Sequence, residues 1–250
     1  MEYGRMAATQ PIQIVPLHPG TAVGVRATPA QLTYRGGPLL AAVNVFTVFW
    51  GSAWKGADAP LVPQVNDFFR YILTSPLIDQ LAEYALPNQP IGHGSLGGTA
   101  TITAPKPHRA LTDAAIQSFI QTEVAKGVLP QPTADSLYFV YLPPGVTSTQ
   151  GSQRSCSNYC GYHDSIGGTI YYAVMPYPGC AGCVGGLAVL DALTSTSSHE
   201  LCEAVTDPVP GQGWYDSVNG EIGDICAWQT KKVGPWTVQL EWSNQKGACI

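Results

Sequence analysis

A chain of 250 residues with 45% hydrophobic residues can bury a sizeable core, either as one large domain or as two halves around a cleft. Charged residues make up only 12%, and 12 Lys+Arg against 17 Asp+Glu leave a net charge of -5, so there is no basic stripe to neutralise phosphates and nucleic acid is not an expected partner. No run approaches the roughly 20 apolar residues of a membrane helix, so no membrane insertion is expected, and the opening MEYGRMAATQPIQ lacks the apolar centre of a signal peptide.

Residues 1–38 carry scattered Pro and Gly without a sustained period and predict an extended N-terminal arm, with one short strand near IQIVPL. Residues 39–250 read as a single domain, divided into sheet and helices (39–206) and a C-terminal subdomain (207–250). AAVNVFTVFWGSAW (41–54) is too apolar for a sheet edge and predicts a central strand. In PLVPQVNDFFRYILTSP, Val62, Val65, Phe68, Phe69 and Ile72 recur at helical spacing, and PLIDQLAEYAL continues helically. The alternating strand in IGHGSLGGTATITAP is followed by a helix, DAAIQSFIQTEVAKG, capped by Thr112 or Asp113 and closed by Gly127.

SLYFVYLPP predicts a third strand. GGTIYYAVMPY (167–177) follows a cysteine-containing loop and predicts a fourth, which Pro176 either ends or places at a sheet edge. GLAVLDALTSTSSHELCEAVT (186–206) predicts a long helix with Leu187, Leu190, Leu193 and Ala204 facing the sheet, stopped at Asp207-Pro208 because the residue before proline is pushed out of helical geometry. The remainder is turn-rich, with WTVQLEWS as a closing strand. The predicted class is α+β, a zincin-like mixed sheet packed on helices, with a long metal-binding helix and an irregular cysteine-containing C-terminal part.

The chemistry concentrates in STSSHELCEAVTDP (195–208). Residues four apart lie one above the other on a helix, so His199 and Glu203 can reach one metal ion from the same face. Glu200 lies about 100° further round, where a carboxylate touches metal-bound water as a general base. Zinc is the first expectation; the carboxylate in place of a second imidazole makes oxygen-preferring calcium or manganese the alternatives. The third ligand is sought in GWYDSVNGEIGDIC. Asp224 is chosen, with Glu221 as an outer partner or substitute, and because the two differ in parity only a bend at Gly223 lets both serve one site. Asp207 reads as the start of a turn with Pro208, with a distant-ligand role as its alternative, and Asp216 as a turn or ion-binding residue. Without downstream ligands the alternative is an ordinary capped helix with solvated glutamates.

Among the other histidines, His18, His93 and His108 sit in loops or turns, while His163 in CGYHDS precedes the fourth strand and is assigned a substrate-orienting role. Seven cysteines fall in the last hundred residues, in Gly/Ser/Pro-rich loops. They favour disulfides and an oxidising compartment over a thiolate zinc site built from CSNYC and CAGC, with the pairing open and Cys202 as the unpaired thiol.

From Val43 onward, VNVFTVFWGSAW, CGYHDS, YPGCAGC, HELCEAVTDP and EIGDIC in that order resemble the EXORDIUM/phosphate-induced protein family of plants and its bacterial relatives. The resemblance implies a secreted or wall-associated protein of zincin-like appearance, with His199, Glu200, Glu203 and the Glu221/Asp224 pair on the family's polar motifs. It brings no firm reaction with it. The resulting expectation is a secreted metallopeptidase acting on a peptide or protein substrate aligned along residues 168–175. Its rivals are a non-catalytic extracellular module with a structural ion, and a glycan binder using Trp50, Trp54, Trp214 and Trp236.

Overall fold

A computed structural model of the protein describes residues 14–19 and 29–250; the parts of the expected N-terminal arm at 1–13 and 20–28 lie outside the described residues. The first half contains β1 (Ile14–Pro16), β2 (Thr33–Tyr34), β3 (Asn44–Trp50), α1 (Leu61–Ile72), α2 (Pro76–Asp79), β4 (Ser95–Ile102), β5 (Ala110–Thr112) and α3 (Asp113–Ala125). There follow β6 (Ser136–Tyr141), β7 (Thr147–Gln150), β8 (Gln153–Arg154), β9 (Tyr159–Ile166), β10 (Ile170–Met175), α4 (Ala181–Val184) and α5 (Val189–Thr206). The C-terminal part holds β11 (Trp214–Tyr215), β12 (Thr230–Val233), β13 (Trp236–Gln239), β14 (Trp242–Ser243) and β15 (Ala248–Cys249).

The class is mixed α+β. Six strands form the main sheet in the order β1-β9-β10-β6-β3-β4. β4, β3, β6 and β10 run parallel, while β9 is antiparallel to both β10 and β1. Alternate residues of the inner strands supply two cores. Val45, Phe49, Phe139 and Tyr141 pack with Phe68 and Phe69 of α1 and Leu201 and Val205 of α5, whereas Val48, Val140 and Val174 pack with Ile116 and Ile120 of α3. Burial on both faces is why β3 and β6 read as nearly continuous apolar runs. Helix α3 begins where the Thr112 hydroxyl accepts from the Ala115 amide at 3.2 Å, the capping expected from its sequence.

The strand expected at an edge is interior. β10 pairs with β6 on one side and β9 on the other, so an extended peptide cannot add to it. Pro176 falls just beyond the last strand residue, where a missing amide costs no ladder bond. The segment read as a loop supplies β9, whose Cys, Gly and Asp residues masked its strand character and whose outer side is covered by β1. β2, from the same N-terminal region as β1, pairs with β11.

Helix α5 is buried from Ala192 through Thr206, not on one face alone, because the sheet covers one side and the C-terminal β12–β13 hairpin the other. Leu187 precedes the helix and Leu190 is only half-buried, so the apolar face begins at Leu193. Several of its small polar residues tolerate this burial because their hydroxyls find partners. Ser198 donates to the Ser195 carbonyl at 2.7 Å and accepts from the Gln239 amide at 2.9 Å; Thr194 donates to the Thr237 carbonyl at 2.8 Å; Ser197 meets the Tyr141 hydroxyl at 2.8 Å. No helix among the described residues is long and apolar enough to cross a membrane.

Three disulfides form: Cys156–Cys180, Cys160–Cys183 and Cys226–Cys249, leaving Cys202 buried and unpaired inside α5. The first two link CSNYC to CAGC pairwise. The sulfurs of Cys156, Cys180 and Cys183 lie close together, but as disulfide sulfurs they offer no thiolate to a metal.

Candidate metal centre

The helical period brings His199 and Glu203 to the same face of α5, with Nε2 of the ring 2.9 Å from Oε1 of the carboxylate. Asp224 arrives from the far end of the chain, its Oδ1 4.0 Å from the same Nε2. It is held there by reciprocal use of backbone amides: the Asp224 amide donates to Glu203 Oε1 and the Glu221 amide donates to Asp224 Oδ2, both at 3.0 Å. Residues 221–226 therefore form a turn closed by a short 3-10 segment at Asp224–Cys226, where strand parity no longer applies. Gly223 makes this close approach possible. A Cβ there would stand 2.8 Å from His199 Cγ and 3.0 Å from Glu203 Oε1.

His163 enters from β9, opposite Ala173 of β10, on the sheet face that carries α5. Its Nε2 lies 3.1 Å from the Asp207 carbonyl oxygen, and its Nδ1 lies 3.1 Å from Glu200 Oε2 and 3.5 Å from Glu203 Oε2. The ring is fully buried with both nitrogens directed at protein groups. The substrate-orienting role expected for it does not fit that position; it holds Glu200 instead. Glu221 points to the same ring from the Nε2 side at 3.5 Å.

Two sets of ligand atoms thus converge, His199 with Glu203 and Asp224, and His163 with Glu200 and Glu203, each set lying within 4.8 Å. Both ring nitrogens of His199, Oε1 of Glu200, Oε2 of Glu203 and both carboxylate oxygens of Glu221 have no hydrogen-bond partner among the described residues. The same holds for both oxygens of Glu241, a buried acid in the apolar-flanked QLEWS that the sequence reading passed over. A charged residue at an apolar-patterned position was its signal.

The electrostatics follow from this crowding. Burial lowers the pKa of both imidazoles, but the Glu200 carboxylate accepting from His163 Nδ1, with the charge of Glu203 beside it, and the charge of Glu203 on His199 outweigh it and hold both well above the ordinary value. Burial raises every carboxyl, yet for Glu203 the charges of His199 and His163 beside it overturn this and hold it at about 2. Glu200 is raised, and Glu221, Asp224 and Glu241 are raised well above the carboxylate range, by burial and then by the negative charge of Glu203. Five buried carboxyl groups face two imidazoles. Each carboxylate left ionised and uncompensated costs on the order of several kcal/mol, so the donor set fits a divalent cation.

The remaining predicted positions are structural. The Asp207 carboxylate accepts from the amides of Gly211, Gln212 and Gly213 at 2.6, 3.0 and 2.6 Å, and Asp216 accepts from Gln31, Val218 and Asn219, so both organise turns. His18 lies edge-on to Trp228, exposed His93 meets Asp79 at 2.8 Å, and His108 lies in an exposed irregular segment; none joins the centre. Trp50 stacks on Phe119 and Trp54 packs against Phe49, both buried, which removes half of the aromatic surface on which a glycan-binding reading rested. No family model matches the chain, and no curated protein matches it.

Proposed function

We propose that this chain is a secreted, metal-dependent hydrolase of zincin-like layout, acting on a peptide amide, with His199, Glu203 and Asp224 as metal ligands and Glu200 as general base. One observation carries the reading: a buried imidazole and two buried carboxylates converge on a point while Nε2 of His199 and Oε2 of Glu203 lack any hydrogen-bond partner. The antiparallel β9 beside a long ligand-bearing helix supports the zincin-like layout. Three disulfides support an oxidising compartment. The motifs that resemble the EXORDIUM family include every residue of this set, which we take as kinship. Zinc suits the nitrogen donor, with manganese or calcium favoured by the carboxylates.

A bound divalent ion supplies Lewis acidity and a water of lowered pKa. Glu200 would accept a proton at Oε1, which has no hydrogen-bond partner among the described residues, while Oε2 is fixed by His163. His163 is itself anchored by donating Nε2–H to the Asp207 carbonyl, so the base is oriented by the end of its own helix. Gly161 leaves space beside Glu200: a Cβ there would lie 3.1 Å from Oε1. Substrate approaches past Asp224, which at 9% exposure is the most accessible member of the set.

A second reading is favoured by the zero exposure of His199, Glu200 and Glu203: the same groups hold a structural ion in a non-catalytic extracellular module. Metal content of the purified protein and of His199→Asn tests the centre, with loss in the variant expected. Turnover of a mixed peptide library, followed by mass spectrometry, separates the readings. Cleavage by the wild type that disappears in Glu200→Gln while metal is retained supports the hydrolase; no cleavage by a metal-loaded wild type assigns the ion a structural role.

A further inference from the structure

We propose that the centre holds two cations, the second lying between Nδ1 of His163, Oε2 of Glu200 and Oε2 of Glu203, so that Glu203 bridges the pair through its two oxygens. The inference rests on the metal-centre reading above and extends it from one ion to two.

The Asp207 carbonyl can only accept a hydrogen bond, so the hydrogen of His163 sits on Nε2. This anchoring of the distal N–H on a backbone carbonyl is the outer contact that fixes the tautomer and aim of a metal-ligating histidine. Nδ1, whenever it carries no proton, presents a lone pair on the opposite side of the ring. It faces Glu200 Oε2 at 3.1 Å and Glu203 Oε2 at 3.5 Å, three electron-rich atoms on side chains that are at most 1% exposed. Such a set repels itself unless something positive stands among it.

A proton on Nδ1 answers only half of the requirement. It satisfies Glu200 Oε2 and leaves Glu203 Oε2 without a hydrogen-bond partner, as observed. A divalent ion takes all three atoms as ligands at once, and they already lie within 4.8 Å of one another. Glu203 is disposed as a bridge, Oε1 turned to His199 at 2.9 Å and Oε2 to His163 at 3.5 Å. Hydrolytic centres with two ions keep them about 3.5–4 Å apart, a span one bridging carboxylate covers. Glu200 gives Oε2 to the second ion and keeps Oε1 for proton transfer. Glu221 is buried on the Nε2 side of the same ring, 3.5 Å from it, and adds a further carboxyl group behind the site.

The test is zinc stoichiometry by mass spectrometry of the metal-saturated full chain, together with electron paramagnetic resonance of the protein loaded with Mn²⁺. The proposal expects about two ions per chain, an exchange-coupled Mn²⁺ signal, and a drop to a single uncoupled ion in His163→Asn. Saturation at one ion with an uncoupled signal in the wild type overturns it; if that one ion is lost in His199→Asn, the single-metal reading survives. Failure of the wild type to bind any ion overturns both. Because the coupled signal is read on unaltered protein, the result does not depend on whether His163→Asn folds.

Discussion

His199 and Glu203 stand one helical turn apart on α5 with Nε2 and Oε1 separated by 2.9 Å, both fully buried, and no other protein group hydrogen-bonds that nitrogen among the described residues. Two such groups in so small a dry volume are compatible when a positive charge, a proton on the ring or a bound metal ion, offsets the carboxylate. Replacing Glu203 by Gln removes the negative half of the pair and the proposed bridge. Zinc affinity is expected to fall more than ~100-fold, beyond the effect typical of losing an outer-sphere partner. Competition against a chromophoric chelator measures this; unchanged affinity would place the ion elsewhere.

Gly223 lies where any side chain would strike the His199 ring and Glu203. Gly223→Ala should cost about 1–3 kcal/mol of stability, the usual penalty of overpacking, and weaken zinc binding in parallel because the collision displaces two ligands. Denaturant unfolding of metal-free and metal-loaded protein separates the two effects.

The metal-free protein should lose stability as pH rises from about 5 to 8. Glu221, Asp224 and Glu241 have folded-state pKa values above their unfolded values, so the folded form holds protons that the unfolded form has released above about pH 4.3. His163 and His199 are also raised, and their contribution is present below about pH 6.5 and lost as pH climbs through the folded values. Glu203, held at about 2, acts oppositely, but its window lies below about pH 4. Bound divalent ion replaces those protons, so saturating zinc should flatten or reverse the slope. Thermal melts across pH with chelator and with zinc check it, and identical slopes would refute it.

Cys226 closes the turn that carries Asp224 and is tied to Cys249 near the C-terminus. Replacing both cysteines by Ser should cost about 2–4 kcal/mol, through the freed chain between them. It should also weaken metal binding, since Asp224 sits two residues from the crosslink. The matching change at Cys156 and Cys180 should lower stability while leaving the His199 site's affinity nearly unchanged, a comparison that calorimetric zinc titration makes directly.

Much of the local structure is legible in the residue order. Apolar spacing marks the residues of α1, the Thr112 cap marks the start of α3, and Asp207-Pro208 marks the end of α5, because these depend on neighbours a few positions away. The pairing of His199 with Glu203 belongs to the same kind, set by the helical period alone. β9 was hidden, since a strand interrupted by Cys, Gly and Asp has no strong alternation and is stabilised by its neighbours β10 and β1.

The sequence by itself determined the positions of the three long helices, the cysteine-rich character of the C-terminal half, and the two donors that share a turn of α5. Tertiary structure alone decided that β10 is interior, that His163 points inward at Glu200, and that Asp224 closes on His199 while Glu221 turns to His163. These contacts join residues tens of positions apart, and their positions follow from which surfaces the folded chain buries against one another, a quantity that no local pattern encodes.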